Sequence, residues 1–375
     1  MSDQQGADPA AAPALAGLDE VAAGAGLREV WSWLGEHGVL GELYQHEEGE
    51  RRLWPRRLRT LLTAVDARGR CGVTLSVCVQ VASAIPLLHS GASGAPLVAA
   101  VLAETLAGRS VVALAATDAA AAGSDLTGLG TEVEIAGDTV IVSGAKRWIT
   151  QAVGCDYLLT LARHRPGRHF TSFTWVLVPA AAPGVAAEAA DTPLFAGSGT
   201  GHVSFDRVRL SREHLVGQPG RALASFARHI TRERFAGAVW AVALLRRALD
   251  DTSRSLRGRH SDGAPLWSLE VPRHRFAAAV VELRLLNALT IELEQRVLHG
   301  YDAAAAALVK TAAARTADAV LSVCASLQGA DGYLPGMAQQ LRAEAAVFGI
   351  GGGTVDLMLS TVAEHADAVL AEVPA

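Results

Sequence analysis

The chain has 375 residues, half of them hydrophobic, and a formal net charge of −5 at pH 7. That length buries a large core, in one multi-part unit or in two to three domains. Acidic residues outnumber basic ones, 38 against 33, which excludes nucleic acid as a partner, because its phosphates need clustered cations.

The first stretch, MSDQQGADPAAAPALAG, has no cationic region and no long apolar run. Residues 1–17 read as a flexible Ala/Pro tail and not as a signal peptide. The apolar runs of the chain fall short of membrane-spanning length, so a cytoplasmic protein with no membrane contact is expected. Cys71, Cys78, Cys155 and Cys324 form no CxxC pair; neither a zinc site nor a disulfide framework is expected, and no metal is assigned.

Residues 18–109 read as a helical domain, with breaks at residues 35–38 and 89–94 where glycines cluster. The pattern changes near Ser110. The runs SVVALAATD, EVEIAGDTVIVSG, DYLLTLARH, FTSFTWVLVPA and HVSFDRVRL are β-branched or aromatic and are separated by turn residues. They predict a compact β-domain over 110–217, with a hairpin at Ala136-Gly137-Asp138. From 218 to 375 the chain is helical again, with helices predicted over 221–256, 268–298, 302–328, 336–347 and 354–372. Long helices with short joints imply an antiparallel bundle. The expected fold is mainly α with a central β-domain.

Two local features point to chemistry. The loop Gly351-Gly352-Gly353, followed by Thr354, lets a ligand approach the backbone closely, and its amides suit an anion. It carries no nucleophile, and no base before Asp356. In the helix over 221–256, Phe226, Ile230, Gly237, Trp240 and Leu244 share one apolar stripe, and Glu233 falls in its middle. A carboxylate there is costly unless it is paired, because burial disfavours its charge. Glu233 is therefore either a structural glutamate bonded to Arg232 or Arg234, or a base with a gap for substrate at Gly237.

The ordered set of motifs resembles the acyl-CoA dehydrogenases over residues 30–370. The segment AGSDLTGLGTEVEIAGDTVIVSGAKRWITQAVGCDYLLTLAR is similar to that family's Ala-Gly-Ser-Asp loop and its Gly-x-Lys-x-Trp-Ile-Thr segment. HVSFDRVRLSREHLVG, RERF, LQGADGY and GGTVDL resemble its later motifs. The resemblance implies an N-terminal helical domain, a β-barrel-like middle domain and a C-terminal four-helix bundle. It also implies FAD, and removal of two hydrogens from the α and β carbons of an acyl thioester carried by coenzyme A or an acyl carrier protein.

Carried over by position, Thr117, Gly123, Ser124, Trp148, Ile149 and Thr150 would meet the flavin, with Ser124 also near the thioester. Arg259 and Ser261 would lie at the pyrophosphate, and Gly329 and Ala330 at the adenine half, from a neighbouring subunit. Thr354 and Asp356 would contact the flavin end, while Arg234, Gly352 and Gly353 would line the substrate. Most members carry glutamate where this chain has Gly352. In the branch that includes isovaleryl- and long-chain-type enzymes, the base sits instead on the helix after the β-domain, before an arginine. That position is Glu233.

A homodimer or homotetramer, and an electron acceptor such as an electron-transfer flavoprotein, follow from the same likeness. The sequence departs from the family at TDAAAAGS, one residue longer than usual and without proline; at His260-Ser261-Asp262; and at AEAAV before the glycine loop. A flavin monooxygenase on the same scaffold, or a non-catalytic partner subunit, are the competing expectations.

Overall fold

The computed structural model describes residues 15–22, 24–47, 50–119, 123 and 125–373. Most of the expected 1–17 tail lies outside the described residues, as does Ser124. The first helix, α1 (Leu27–Glu36), buries Leu27, Val30, Trp31 and Leu34 on one face. A two-stranded hairpin follows, β1 (Tyr44–Glu47) with β2 (Glu50–Leu53). Then come α2 (Pro55–Asp66), α3 (Cys71–Gly91) and α4 (Pro96–Leu106). Proline opens both α2 and α4 in the first turn, where its missing N–H costs no bond.

The expectation about apolar length needs correcting. By length and composition α3, at 21 residues, would cross a membrane, and so would the 27-residue stretch Ala338–Glu364. Helix α3 is apolar all round because the protein buries it all round: Gly72, Val73, Ser76, Val77, Val81, Ala82 and Leu88 are all covered. The second stretch is broken at Gly351–Gly353.

The strands between Val112 and Val216 join in one eight-stranded mixed sheet among the described residues. They are β3 (Val112–Ala115), β4 (Glu132–Ala136), β5 (Thr139–Ile149), β6 (Tyr157–Arg163), β7 (Phe173–Pro179), β8 (Val185–Ala189), β9 (Gly201–Ser211) and β10 (Leu215–Val216). The order is β10-β7-β6-β4-β5-β9-β8, with β3 parallel to β6. Gly137 and Asp138 are the two loop residues between β4 and β5, with Gly137 at φ +60°. Strands β6 and β7 are buried on both faces, which is why their sequences do not alternate. One face (Leu159, Leu161, Trp175, Leu177) joins the main helical core, and the other (Leu158, Ala162, Val176, Val178) joins a second core of the sheet itself.

The C-terminal part comprises α5 (Ala222–Gly258), α6 (Glu270–Glu292), α7 (Ala303–Gln328), α8 (Ala338–Ala345) and α9 (Val355–Glu364). Asp302 caps α7 by accepting the Ala305 N–H at 2.9 Å, and Gly329 at φ +61° ends it. Helix α7 is the hub, packing on α5, α6, α8 and α9. Ala305, Ala306, Ala313 and Ala317 are fully covered and let those neighbours come close.

Candidate active site

Helix α3 is not uniform. Residues Gln80–Ala84 form a π-helical turn, a widening that re-aims side chains and is frequent at functional sites. The turn points two groups in useful directions. Gln80 brackets Val112 of β3, donating Nε2 to its carbonyl at 2.6 Å and accepting its N–H at 3.3 Å. The Ser83 hydroxyl donates to Glu233 Oε2 on α5.

Glu233 is enclosed by protein but half-buried, because one side faces a cavity of about 60 Å³. Both arginines named as structural partners bond to other groups. Arg232 turns to Tyr301 and His229, and Arg234 donates Nε to the Gly352 carbonyl at 3.0 Å. Burial raises the Glu233 carboxyl above its usual range. The Ser83 hydrogen bond opposes this first, and the charges of Arg234 and Lys310 add to the opposition. Lys310 lies in the same cavity wall, donates to the Phe348 carbonyl at 2.6 Å and is held down to about 8, mainly by burial.

The glycine loop forms the facing wall. Gly352 and Gly353 have φ of +70° and +106°, which L-residues adopt only under strain. A Cβ added at Gly352 would stand 3.5 Å from Glu233 Oε1, in ordinary contact. A side chain at 352 and the side chain of Glu233 thus address the same space. Glu233, Arg234, Gly352 and Gly353 are brought together. Thr354 caps α9 through the Leu357 N–H, and Asp356 is exposed in its first turn.

A second group gathers at the end of β5. A bulge there puts Trp148 at φ +56° and leaves its indole 58% exposed. Its backbone N–H donates to His202 Nδ1 at 3.2 Å, and the two rings meet edge-on at 5.3 Å. The Arg147 N–H donates to the Thr117 carbonyl at 3.2 Å. The buried Lys146–Asp118 pair, at 3.2 Å, pins the same loop. Gly123 lies beside Thr117, its notional Cβ 3.6 Å from Thr117 Cγ2. Ile149 is buried and Thr150 half-buried. The next residue, Gln151, donates to Ser76 of α3 at 3.0 Å, which ties this group to the helix lining the cavity.

A third group holds Arg259, Gly329, Ala330 and Asp331. Arg259 donates Nη1 to the carbonyls of Leu327 and Gln328, at 3.2 and 2.7 Å. The Asp331 carboxylate stands 3.7 Å from its Nε, and a Cβ at Gly329 would come within 3.3 Å of its Nη2. Ala330 is exposed, and Ser261 is exposed on a small hairpin formed by His260–Ser261 and Ala264–Pro265. Sequence reasoning missed Ser83, Lys310 and His202. Nothing in their local sequence sets them apart.

The chain is similar to known proteins in both sequence and fold. Residues 113–208 match the acyl-CoA dehydrogenase middle domain and residues 222–366 the acyl-CoA dehydrogenase C-terminal domain. An acyl-CoA dehydrogenase of Alternaria alternata is 28% identical over 65% of this chain, and the chain spans 60% of that relative's length. An acyl-[acyl-carrier-protein] dehydrogenase from a Mycobacterium species is 28% identical over 82% of this chain and 78% of its own. The crystal structure of a probable acyl-CoA dehydrogenase from Mycobacterium abscessus superposes with a TM-score of 0.82 at 28% identity, covering 95% of this chain and 94% of that one. The two domain matches together take in well over half of the 375 residues, and the chain belongs to the acyl-CoA dehydrogenase family.

Proposed function

We infer that this chain is an FAD-dependent dehydrogenase that introduces a double bond between the α and β carbons of an acyl thioester, with Glu233 as the base. The observation that carries the reading is the 3.5 Å separation between Glu233 Oε1 and the position of a Cβ at residue 352. A base from either wall reaches the same carbon, so a glycine at 352 leaves the reaction complete as long as Glu233 is present.

The residues suit a flavin dinucleotide. The exposed Trp148 indole is a flat apolar surface that a planar ring can cover, with the hydroxyl of Thr150 two positions on and Thr117 beside it. Arg259 supplies a cation for a pyrophosphate, next to the side-chain-free backbone of Gly329. When bound, FAD supplies the acceptor for a hydride leaving the β-carbon. Glu233 takes the α-proton as the α C–H bond breaks, and that electron pair becomes the new C=C bond. A raised carboxyl pKa makes Glu233 a stronger base than a surface carboxylate. Arg234, by holding the Gly352 carbonyl, fixes the facing wall at contact distance. The apolar cavity keeps water from the base.

The reading takes the chain as three parts, 18–109, 110–217 and 218–375, forming a homodimer or homotetramer that passes electrons to a separate acceptor such as an electron-transfer flavoprotein. The thioester is carried by coenzyme A or a carrier protein. A monooxygenase has no use for an α-proton base, and Glu233 tells against that alternative and against a non-catalytic subunit. Anaerobic titration of the FAD-loaded protein tests the reading: a saturated acyl thioester bleaches the flavin absorbance. Protein that stays colourless with excess FAD, or flavin that no acyl thioester bleaches, overturns it.

A further inference from the structure

We propose that the acyl site takes a short chain, of up to about seven carbons, and that Gly237 and Trp240 set this limit; the proposal rests on the dehydrogenase reading above. The cavity beside Glu233 runs along α5 past Gly237 to Trp240, with Leu75 and Val79 of α3 on its other side. Gly237 lies in the interior of a 37-residue helix, where glycine is destabilising relative to alanine. Crowding does not require it: a Cβ built at Gly237 meets nothing within 4 Å. The open space there is the cavity, so a side chain at 237 would stand in the path leading away from Glu233.

Trp240 closes the far end. It is 2% exposed, packs edge-on against Phe348 at 4.8 Å and donates Nε1 to Asp66 at 2.9 Å. Asp66 is itself held by Arg247 at 2.8 Å. An indole fixed by packing and by a buried, charge-assisted hydrogen bond does not swing aside for a longer tail.

The helix sets the available length. Seven residues separate Glu233 from Trp240, which is about 10 Å of helix rise. Subtracting about 4 Å for contact with the ring leaves about 6 Å. An extended chain advances about 1.2 Å per bond, since a peptide covers about 3.5 Å in three, so about five carbons fit beyond the reacting one. With the carbonyl and α carbons, the acyl chain reaches about seven carbons.

The test is anaerobic flavin reduction by saturated acyl-coenzyme A thioesters of four, six, twelve and sixteen carbons, with wild-type protein, Gly237→Val and Trp240→Ala. Wild type is expected to be reduced by the four- and six-carbon chains. The longer ones fall by at least about 100-fold, since each methylene that does not fit costs about tenfold or more. Gly237→Val is expected to keep the four-carbon substrate and lose the six-carbon one by about tenfold or more. Trp240→Ala gains the twelve-carbon chain. A Cβ at 237 meets nothing within 4 Å, so Gly237→Val decides the matter should Trp240→Ala fail to fold. Wild type reduced by twelve or sixteen carbons within tenfold of the six-carbon rate, or Gly237→Val indifferent to chain length, overturns the limit while leaving dehydrogenation intact. Flavin that none of the four thioesters reduces overturns dehydrogenation of these substrates, and the limit with it.

Discussion

Glu233 sits under opposed influences, and its neighbours set the pH at which it works. Burial raises its carboxyl pKa, and the Ser83 hydroxyl, Arg234 and Lys310 pull it back down. A base acts when deprotonated, so flavin reduction by substrate is expected to rise with pH through a midpoint above the ordinary carboxylate range. Ser83→Ala and Lys310→Met each remove a group that stabilises the carboxylate. Both should raise the pKa further and move that rise to higher pH, with flavin content unchanged; a pH profile of anaerobic reduction that stays put in both variants contradicts the assignment. At the other end of the proposed flavin site, Asp331 stands 3.7 Å from Arg259 and competes with any anion for it. Asp331→Asn should tighten FAD about two- to fivefold, the scale of an exposed ion pair, as read by quenching of flavin fluorescence. Glu233 was legible in the sequence because a carboxylate on an apolar stripe breaks the pattern. Ser83 and Lys310 were not, because a lone serine or lysine in an apolar helix carries no mark of its partner.

The elements matter for where they depart from regularity. The π-helical turn Gln80–Ala84 aims Ser83 at α5 and Gln80 at β3, and the sequence QVASA carries no sign of it. The hairpin β1–β2 also went unread, because YQHE and ERRL lack the β-branched alternation by which strands are recognised. Strands β3 to β7, strand β9 and the C-terminal helices were legible, since glycine-rich turns and long apolar periodicity mark them, whereas β8 and β10 went unread. The glycine loop was visible as a loop, but not its backbone demands. At Gly352 an added Cβ makes only ordinary contacts, so Gly352→Ala should cost the left-handed backbone alone, about 1–2 kcal/mol. At Gly353 the φ of +106° is less accessible still, and Met358 Cε would stand 3.1 Å from the new Cβ. Thermal denaturation should therefore rank Gly353→Ala below Gly352→Ala; the reverse order contradicts this account of the loop.

The whole molecule leaves apolar surface uncovered in one chain. Helix α6 is 23 residues long yet buries only Ala279, Leu286 and Thr290. Val281 and Leu285, one turn apart, are 56% and 61% exposed, and Val271 near its start is 68% exposed. Such a stripe on a long helix marks an interaction face, and a second copy of this chain is the partner the proposed function calls for. Light scattering at micromolar concentration is expected to give at least twice the monomer mass. Val281→Glu with Leu285→Glu should lower that mass and weaken FAD retention together. A wild-type monomer that holds FAD contradicts the homo-oligomer.

In the proposed function the base has its place on α5 and not on the glycine loop. Glu233→Gln keeps the size of the side chain and its hydrogen bond to Ser83 but cannot take a proton at neutral pH. Stopped-flow reduction of the bound flavin by the preferred acyl thioester should slow by about 10²- to 10⁴-fold, with flavin content and spectrum as in wild type. Reduction at the wild-type rate in Glu233→Gln contradicts the assignment of the base.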